Sequence, residues 1–146
     1  MDKIDFSFAN TYDEEEIKKL LSDSDLPFED ITFHLKNFIM AKKDGELIGI
    51  IGLEIYGISA LLRSLAVKRK FQGMAVAHQL YTKILTHAQM CGVTNLYLLT
   101  KTAVGFFTKL GFIETQRKDV PKEIYETEQF KCLKCMTAIC LTKQIN

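Results

Sequence analysis

The sequence has no large excess of charge of either sign. Its 19 lysines and arginines stand against 18 aspartates and glutamates, which leaves a net charge of +1 over 146 residues. Proteins that bind nucleic acid or acidic lipid usually carry a larger basic excess. We therefore expect neither a nucleic-acid nor a membrane partner. An anion would have to be bound by a local group of cations, and Lys68, Arg69 and Lys70 form the most compact one.

Long hydrophobic runs are also missing. No apolar stretch approaches the roughly 20 residues that a membrane-spanning helix needs. The first residues, "MDKIDFSFANTYDEEE", become acidic before a signal-peptide core could form. We therefore expect a cytoplasmic protein. In that compartment the four cysteines, Cys91, Cys132, Cys135 and Cys140, are expected to stay reduced.

Proline and glycine are scarce, with two and eight copies, and neither a repeat nor a low-complexity linker marks a domain boundary. Apolar residues make up 47% of the chain and charged residues 25%, which is typical of a globular protein with a real core. The length suits one ordinary domain. The sequence therefore predicts a single domain over residues 1–146.

The pattern of apolar residues predicts mixed secondary structure. Apolar runs flank Asp44-Gly45, a strong hairpin signal, so residues 37–67 should form an antiparallel meander. Apolar residues then recur at helical spacing from Val76 to Ala88, and a buried type of strand, "NLYLLT", follows. The predicted order is β α (α) β β β α β α β (α) β. This order indicates an α+β fold with a mixed, mainly antiparallel sheet of six to seven strands and helices on both faces.

The stretch "SLAVKRKFQGMAVAHQL" places a strand, three cations, a glycine and a helix start directly after one another. The first N–H groups of a helix are unpaired and carry partial positive charge, so they attract phosphate. Gly73, Ala75 and Ala77 are small enough to let a pyrophosphate approach. Neither the Walker pattern nor the dinucleotide fingerprint is present. The alternative is a solvated turn that happens to carry lysines.

The same stretch resembles the acyl-CoA-binding motif of the GNAT family of N-acetyltransferases, [QR]-x-x-G-x-[GA] after a strand that ends in valine. Gln72 and Ala77 match its ends, while Ala75 replaces the first glycine. The family's second landmark is a helix that ends in F-Y-x-x-L-G-F, and "FFTKLGF" is similar to it. Over about residues 24–143 the chain also resembles the small N-acetyltransferases of arsenic-resistance operons and the acetyltransferase domain of amino-acid (glutamate) N-acetyltransferases.

The resemblance implies the GNAT (acyl-CoA N-acyltransferase) fold and a direct transfer of acetyl from acetyl-CoA to an amine, without a metal. The amine would belong to a small molecule, either an amino acid or an amino-acid-like toxin. A homodimer is expected as one possible assembly. The alternative function is a module on the same fold that binds CoA, or senses a soft metal through its thiols, without turnover.

The resemblance also implies which residues contact the cofactor. Backbone N–H groups at the helix start would hold the pyrophosphate, strand residues would pair with the pantetheine arm, and two aromatic rings would flank that arm. The N–H of one strand residue, Leu65, would in addition polarise the thioester carbonyl. The expected cofactor residues are Leu65, Ala66, Val67, Gln72, Gly73, Met74, Ala75, Val76, Ala77, Phe106 and Phe107.

The residues that would donate and accept protons differ from the usual pattern of the family. Phe107 stands where many family members have a tyrosine that protonates the departing thiolate, so the thiolate would leave unaided or with water. Glu54 interrupts an apolar strand and is the candidate base. The alternative is a structural pair between Glu54 and Arg63. Tyr56, on the same strand face, is a weaker candidate base.

Polar residues near strand ends are the candidates for substrate binding. Arg63 and Ser64 interrupt "ALLRSLAV", and a buried guanidinium needs a partner such as a substrate carboxylate. Thr100 and Thr102, which flank Lys101, follow a central strand and could contact the substrate. Helix capping by Thr102 is the alternative.

Cys132 and Cys135 have the spacing of a metal or redox pair. A structural zinc site needs four ligands, and the sequence has no second pair with zinc-site spacing, because His34, His78 and His87 are scattered. We therefore expect partly buried thiols and no metal.

Overall fold

A computed structural model describes residues 3–73, 75–132 and 135–146. Met74, one of the predicted cofactor residues, lies outside the described residues. The described strands belong to one seven-stranded sheet. They are β1 (Ile4–Phe8), β2 (Phe38–Lys43), β3 (Glu46–Tyr56), β4 (Ser59–Val67), β5 (Asn95–Thr100), β6 (Ile113–Glu114) and β7 (Ile139–Gln144).

The described α-helices are α1 (Glu14–Asp23), α2 (Val76–Met90), α3 (Val104–Lys109), α4 (Lys122–Tyr125) and α5 (Glu128–Lys131). The predicted order of elements is confirmed. The first bracketed helix of the predicted order is a 3₁₀ helix, Ile31–Asn37. The second bracketed helix is divided in two, α4 and α5, because Thr127 caps α5 by accepting a hydrogen bond from the Phe130 N–H.

The strand order in the sheet is β1-β2-β3-β4-β5-β7-β6. Strands β1, β2 and β3 pair antiparallel, and so do β5, β7 and β6. Strand β4 pairs with β5 in parallel, across the connection that contains α2. The predicted α+β class with a mixed, mainly antiparallel sheet is therefore confirmed.

The β2–β3 turn shows how local sequence sets the register of the sheet. Asp44 and Gly45 have φ angles of 52° and 79°, as a two-residue hairpin turn requires at both central positions. Asp tolerates this conformation and Gly adopts it without strain. The turn brings Lys43 opposite Glu46 and so aligns the meander.

The chain forms two compact units. One comprises the described residues up to Leu53 together with Arg63–His87. Its core combines the apolar face of α1 with side chains from the 3₁₀ helix and the first strands, since α1 buries residues at helical spacing. The principal core residues are Ile17, Leu20, Leu21, Ile31, Leu35, Phe38, Met40, Leu47, Ile50 and Ala66.

The other unit comprises Glu54–Leu62 and Ala88–Asn146. An apolar cluster in it is built from β4, β5, β7 and the short helices, with Tyr56 and Tyr97 packed against its edge. The cluster consists of Leu61, Leu99, Val120, Ile124, Phe130, Cys135 and Cys140. The expectation that residues 1–146 form one domain stays a prediction.

A search of the described ranges finds no helix that is both long and apolar enough to cross a membrane.

Candidate active site

The turn between β4 and α2 is held in place by one buried ring. A single 3₁₀ turn, Arg69–Phe71, follows the strand, and the Lys68 N–H donates to the Ile48 carbonyl at 2.8 Å. Phe71 is buried, and the ammonium group of Lys70 lies 5.1 Å from its ring centre. The cations Lys68, Arg69 and Lys70 therefore belong to a turn that is held by the buried Phe71 ring and by the Lys68 N–H.

The chain enters α2 through residues with unusual backbone angles. Gly73 and Ala75 both have positive φ, at 82° and 63°. A Cβ on Gly73 would meet nothing within 4 Å, so the space beside it is open. The Gln72 side-chain amide donates to the Val67 carbonyl at 3.0 Å and ties the turn to the end of β4.

The start of α2 follows this turn. Among the described residues, the first helical hydrogen bond runs from the Gln79 N–H to the Ala75 carbonyl, at 3.0 Å. The first N–H groups of an α-helix have no carbonyl partner within the helix. The helix dipole adds partial positive charge at the same end. Both properties favour an anion at this end of α2, and the predicted contact with pyrophosphate stays a prediction.

A close approach of helix and strand fixes the position of this helix start. A Cβ on Gly49 of β3 would lie 3.0 Å from Leu80 Cδ1 and 3.3 Å from Val76 Cγ1. Both side chains are fully buried against the strand. Because only glycine leaves room for them, α2 lies directly on β3.

Strand β4 supplies the predicted pantetheine-binding backbone. Its parallel pairing with β5 joins Ser59, Ala60 and Leu61 to Asn95, Leu96 and Tyr97. Leu65, Ala66 and Val67 lie further along β4, with Ala66 buried and the other two half-buried. Their cofactor contacts, and the carbonyl contact of the Leu65 N–H, stay predictions.

Ser64 interrupts the extended backbone of β4. Its φ is +64°, in the left-handed region that a serine within a strand rarely adopts. The side chain is buried, and its Oγ accepts a hydrogen bond of 2.9 Å from Arg63 Nε. Such local distortions are concentrated at functional sites, where surrounding contacts hold them.

Arg63 has a carboxylate partner that the sequence analysis missed. Its Nη1 and Nη2 donate to the two oxygens of Asp30 at 2.7 and 2.8 Å, and Nη2 also reaches the Pro27 carbonyl at 3.3 Å. Arg63 is only 3% exposed. Asp30 precedes it by 33 positions, so no local pattern could have indicated the pair. The substrate contacts predicted for Arg63 and Ser64, and the alternative Glu54 pair, stay predictions.

The Arg63 guanidinium also controls the charge of Asp30. Burial raises the pKa of the Asp30 carboxyl, but the hydrogen bonds and positive charge of Arg63 lower it by more. The pKa of Asp30 therefore lies below its ordinary value, and the carboxyl stays ionised at neutral pH.

Glu54 and Tyr56, the two candidate bases, contact each other. The Tyr56 hydroxyl donates to Glu54 Oε1 at 2.5 Å, as residues two apart on one strand face can. Glu54 is 1% exposed. The phenol therefore occupies one oxygen of the carboxylate, and the role of Glu54 as base stays a prediction.

The segment at the end of β5 contains Thr100 and Thr102, and its structure tests whether Thr102 caps the following helix. The N-cap of α3 is Ala103 and receives no side-chain hydrogen bond, so capping by Thr102 is wrong. Thr100 Oγ1 instead accepts from the Ala103 N–H at 3.0 Å and closes the turn. Thr102 is exposed. The substrate contacts of Thr100 and Thr102 stay predictions.

Three rings pack edge to face around α3. The Phe106 and Phe107 ring centres are 5.1 Å apart, and those of Phe107 and Phe112 are 5.3 Å apart. Phe107 is 4% exposed, whereas Phe106 is half-buried. Phe107 is thus an interior residue without a proton to donate, and the expected contact of both rings with pantetheine stays a prediction.

Two buried cysteines of the C-terminal segment, Cys135 and Cys140, have raised pKa values. Burial raises the pKa of Cys135 to about 11, with a further contribution from its hydrogen bond with Cys132. Burial likewise raises the pKa of Cys140 to about 11. Both are therefore neutral at pH 7, and a neutral thiol is a poor nucleophile and metal ligand.

Two curated relatives match about two thirds of the chain. An uncharacterised N-acetyltransferase of Chlorobaculum tepidum is 30% identical over 98 residues, which are 66% of this chain and 63% of the relative. An amino-acid acetyltransferase of Aeromonas salmonicida is 24% identical over 97 residues, 65% of this chain but only 22% of the relative. The chain thus spans less than two thirds of the length of either.

A solved structure has the same fold. N-acetylglutamate synthase from Neisseria gonorrhoeae, complexed with coenzyme A and N-acetyl-glutamate, superposes with a TM-score of 0.85 at 18% identity. The match covers 99% of this chain and 35% of the synthase. The sequence profile of the acetyltransferase (GNAT) family matches residues 6–112, which include the turn before α2 and the "FFTKLGF" segment. With the profile covering most of its length, the chain belongs to the acetyltransferase (GNAT) family.

Proposed function

We propose that this chain is an acetyl-CoA-dependent N-acetyltransferase that acts on the primary amine of a small molecule, an amino acid or an amino-acid-like toxin. The observation that carries the proposal is the start of α2. There, the open space beside Gly73 lies close to the first turn of a helix, whose N–H groups have no partner within the helix, as a pyrophosphate site requires. Membership of the acetyltransferase family supports the reaction type.

The proposed reaction is one acyl exchange. The neutral amine attacks the thioester carbonyl carbon, an N–C bond forms, and the C–S bond breaks. The products are an N-acetyl amide, the CoA thiolate and one proton from the amine. The Leu65 N–H would stabilise the charge that develops on the carbonyl oxygen, which is a large contribution in such reactions. Phe107 cannot protonate the thiolate, so the thiolate leaves unaided or takes up a proton from water after it has left.

Glu54 would receive the amine proton, directly or through water. Its hydrogen bond from the Tyr56 hydroxyl holds the carboxylate in one orientation. Replacing Glu54 by Gln should depress turnover most at pH values below the pKa of the amine, where the substrate is mainly protonated. Near and above that pKa the amine loses its proton in water, and the effect should shrink.

The substrate class is supported by the relatives. The Aeromonas relative is an amino-acid acetyltransferase, and the Neisseria structure is of an N-acetylglutamate synthase that holds N-acetyl-glutamate. Both names concern longer proteins, of which the matches cover 22% and 35%. An acceptor that carries both an amine and a carboxylate is therefore the first class to test.

A non-catalytic CoA-binding module is the second candidate. It is favoured by Phe107, because this buried ring replaces a proton donor. Such a module would bind CoA through α2 as proposed but would release no thiol from acetyl-CoA with any amine. The two candidates therefore share a binding site and differ in turnover.

Two measurements on the purified chain test the proposal. Calorimetric titration with CoA reports binding, and thiol release from acetyl-CoA reports turnover on a panel of amino acids and amines without a carboxylate. We expect binding, and the fastest release with an amino acid. Binding without release would favour the module, whereas absence of binding would remove both candidates.

A pair of glycine variants locates the cofactor. Gly73→Glu puts a carboxylate beside the proposed pyrophosphate and should abolish CoA binding. Gly57→Glu is the matched control. Gly57 also has positive φ, 65°, and open space around a Cβ, but it lies in the β3–β4 turn. Both variants carry the same strain and charge, so equal losses of CoA affinity would contradict the assignment.

A further inference from the structure

We propose that Asp30 is a positioning residue for the acetyl-transfer step: through Arg63 and Ser64 it fixes the peptide plane that carries the Leu65 N–H. This inference rests on the proposed function, because the Leu65 N–H matters for chemistry only if a thioester carbonyl lies against it. Asp30 itself would touch neither the substrate nor the cofactor.

The first link is the ion pair of Asp30 with Arg63. Both carboxylate oxygens accept hydrogen bonds from the guanidinium, at 2.7 and 2.8 Å, so the planar fork is held in a single orientation. Arg63 is 3% exposed, and its Nη2 also donates to the Pro27 carbonyl. A buried bidentate pair of this kind has little freedom to rotate.

The second link runs from Arg63 to Ser64. With its guanidinium group held by Asp30, Arg63 donates a hydrogen bond of 2.9 Å from Nε–H to Ser64 Oγ. Ser64 has a φ of +64°, a conformation that is unfavourable for an L-residue because its Cβ crowds the following carbonyl. The hydrogen bond from Arg63 offsets part of this cost. Without it the serine would gain by returning to the extended conformation of its strand.

The third link is the peptide bond between Ser64 and Leu65. The backbone angles of Ser64 set the direction of the Leu65 N–H, because the peptide unit is planar. Relaxation of Ser64 would turn this N–H away from its present direction. Misplacing a catalytic group by about 1 Å can cost about 100-fold in rate. The chain of contacts from Asp30 therefore ends on the proposed carbonyl donor.

The position of Asp30 gives independent support. It is the N-cap residue of the 3₁₀ helix Ile31–Asn37, and aspartate at such a place usually accepts a hydrogen bond from the first turn. Here its side chain makes no capping hydrogen bond. The carboxylate accepts hydrogen bonds from Arg63 of β4 instead, so Asp30 stabilises the contact with this strand and not the start of its own helix.

The test compares kcat and KM in Asp30→Asn, which keeps the size of the side chain and removes its charge. We expect kcat to fall by up to about 100-fold, while KM for acetyl-CoA changes by less than about twofold. The reason is that the pyrophosphate site at α2 is untouched. An unchanged kcat in the folded variant would overturn the proposal, and so would a loss that appears only in KM.

Asp23→Asn is the matched control. It removes one aspartate charge from the same unit, but Asp23 is exposed and its partner is the exposed Lys19 of α1. Its kcat should equal that of the wild type. Asp30→Glu should restore part of the lost rate, since it returns a carboxylate to the guanidinium. A loss of stability in Asp30→Asn is expected in either case, but with a purely structural Asp30 the kcat of the remaining folded enzyme would equal that of the wild type.

Two further measurements keep the inference testable if Asp30→Asn does not fold or if the chain acetylates nothing. Ser64→Ala keeps the Cβ, and with it the unfavourable left-handed conformation, but removes the Arg63 acceptor, so it should also lower kcat at constant KM. The ¹⁵N–¹H signal of Leu65 should shift in Asp30→Glu and stay in place in Asp23→Asn. A stationary Leu65 signal would overturn the inference. Absent thiol release in the wild type would overturn the proposed function and with it the role of Asp30 in catalysis, and the Leu65 signal would then test only whether Asp30 fixes this peptide plane.

Discussion

Two residues with unusual backbone angles lie in the candidate site. The described residues other than glycine with positive φ are Asp25, Asp44, Ser64 and Ala75. The two aspartates lie in turns or loops, where this conformation is tolerated. Ser64 and Ala75 instead flank the proposed carbonyl donor and the proposed phosphate site. These two unusual angles thus lie at the two places where contacts with the cofactor are proposed.

Replacing Ala75 by glycine should stabilise the protein. Glycine adopts a φ of +63° without the cost that a Cβ imposes, and this gain exceeds its entropic penalty. We expect the free energy of unfolding to rise by about 0.5–1 kcal/mol, measured by urea denaturation.

Ala77→Gly is the control for this prediction. It makes the same exchange two positions later, inside α2, and should lower the free energy of unfolding by about 1 kcal/mol, because glycine is a poor helix former. A loss of stability in both variants would mean that the conformation of Ala75 carries no strain.

Contacts between elements decide where the phosphate site lies. The turn before α2 could be predicted from the sequence, because a strand end, cations, a glycine and a helix start follow one another directly. The direct contact of α2 with β3 could not. It depends on Gly49, which faces Val76 and Leu80 although about thirty residues separate them in the chain.

Gly49→Ala should therefore destabilise the α2–β3 contact. The added methyl group would lie 3.0 Å from Leu80 Cδ1 and 3.4 Å from the Ala66 carbonyl oxygen, so helix and strand must separate slightly. We expect a loss of about 1–3 kcal/mol in the free energy of unfolding, together with weaker CoA binding.

Gly105→Ala is the comparison. Gly105 lies in α3, and a Cβ there meets nothing within 4 Å, so this variant should gain up to about 1 kcal/mol. Equal effects of the two substitutions on the midpoint of thermal unfolding would show that the contact at Gly49 is not tight.

At the scale of the whole molecule, the Asp30–Arg63 pair links stability to pH. The pKa of Asp30 in the folded chain lies below its ordinary value of 3.8. Its contribution to stability is therefore fully present above the unfolded pKa and is lost as the pH falls through the folded pKa. The neighbouring guanidinium is the cause, although burial by itself acts in the opposite direction.

Asp30→Asn should therefore be less stable than the wild type at pH 7, and the difference should shrink below about pH 4. Urea denaturation of both proteins from pH 7 to pH 3 measures this difference in the free energy of unfolding. A difference that stays constant across this range would show that Asp30 contributes no charge-dependent stability. The exposed Asp23–Lys19 pair should contribute little at any pH, so Asp23→Asn serves again as the control.

The sequence by itself determined the order of elements, the β2–β3 turn and the proposed phosphate site. Each of these depends on residues within a few positions of one another, where backbone geometry and side-chain spacing act directly. Only the tertiary structure decided the partner of Arg63, the contact of α2 with Gly49 and the hydrogen bond between Glu54 and Tyr56. A buried polar group takes whichever partner the folded chain brings within about 3 Å, and sequence distance does not limit that choice.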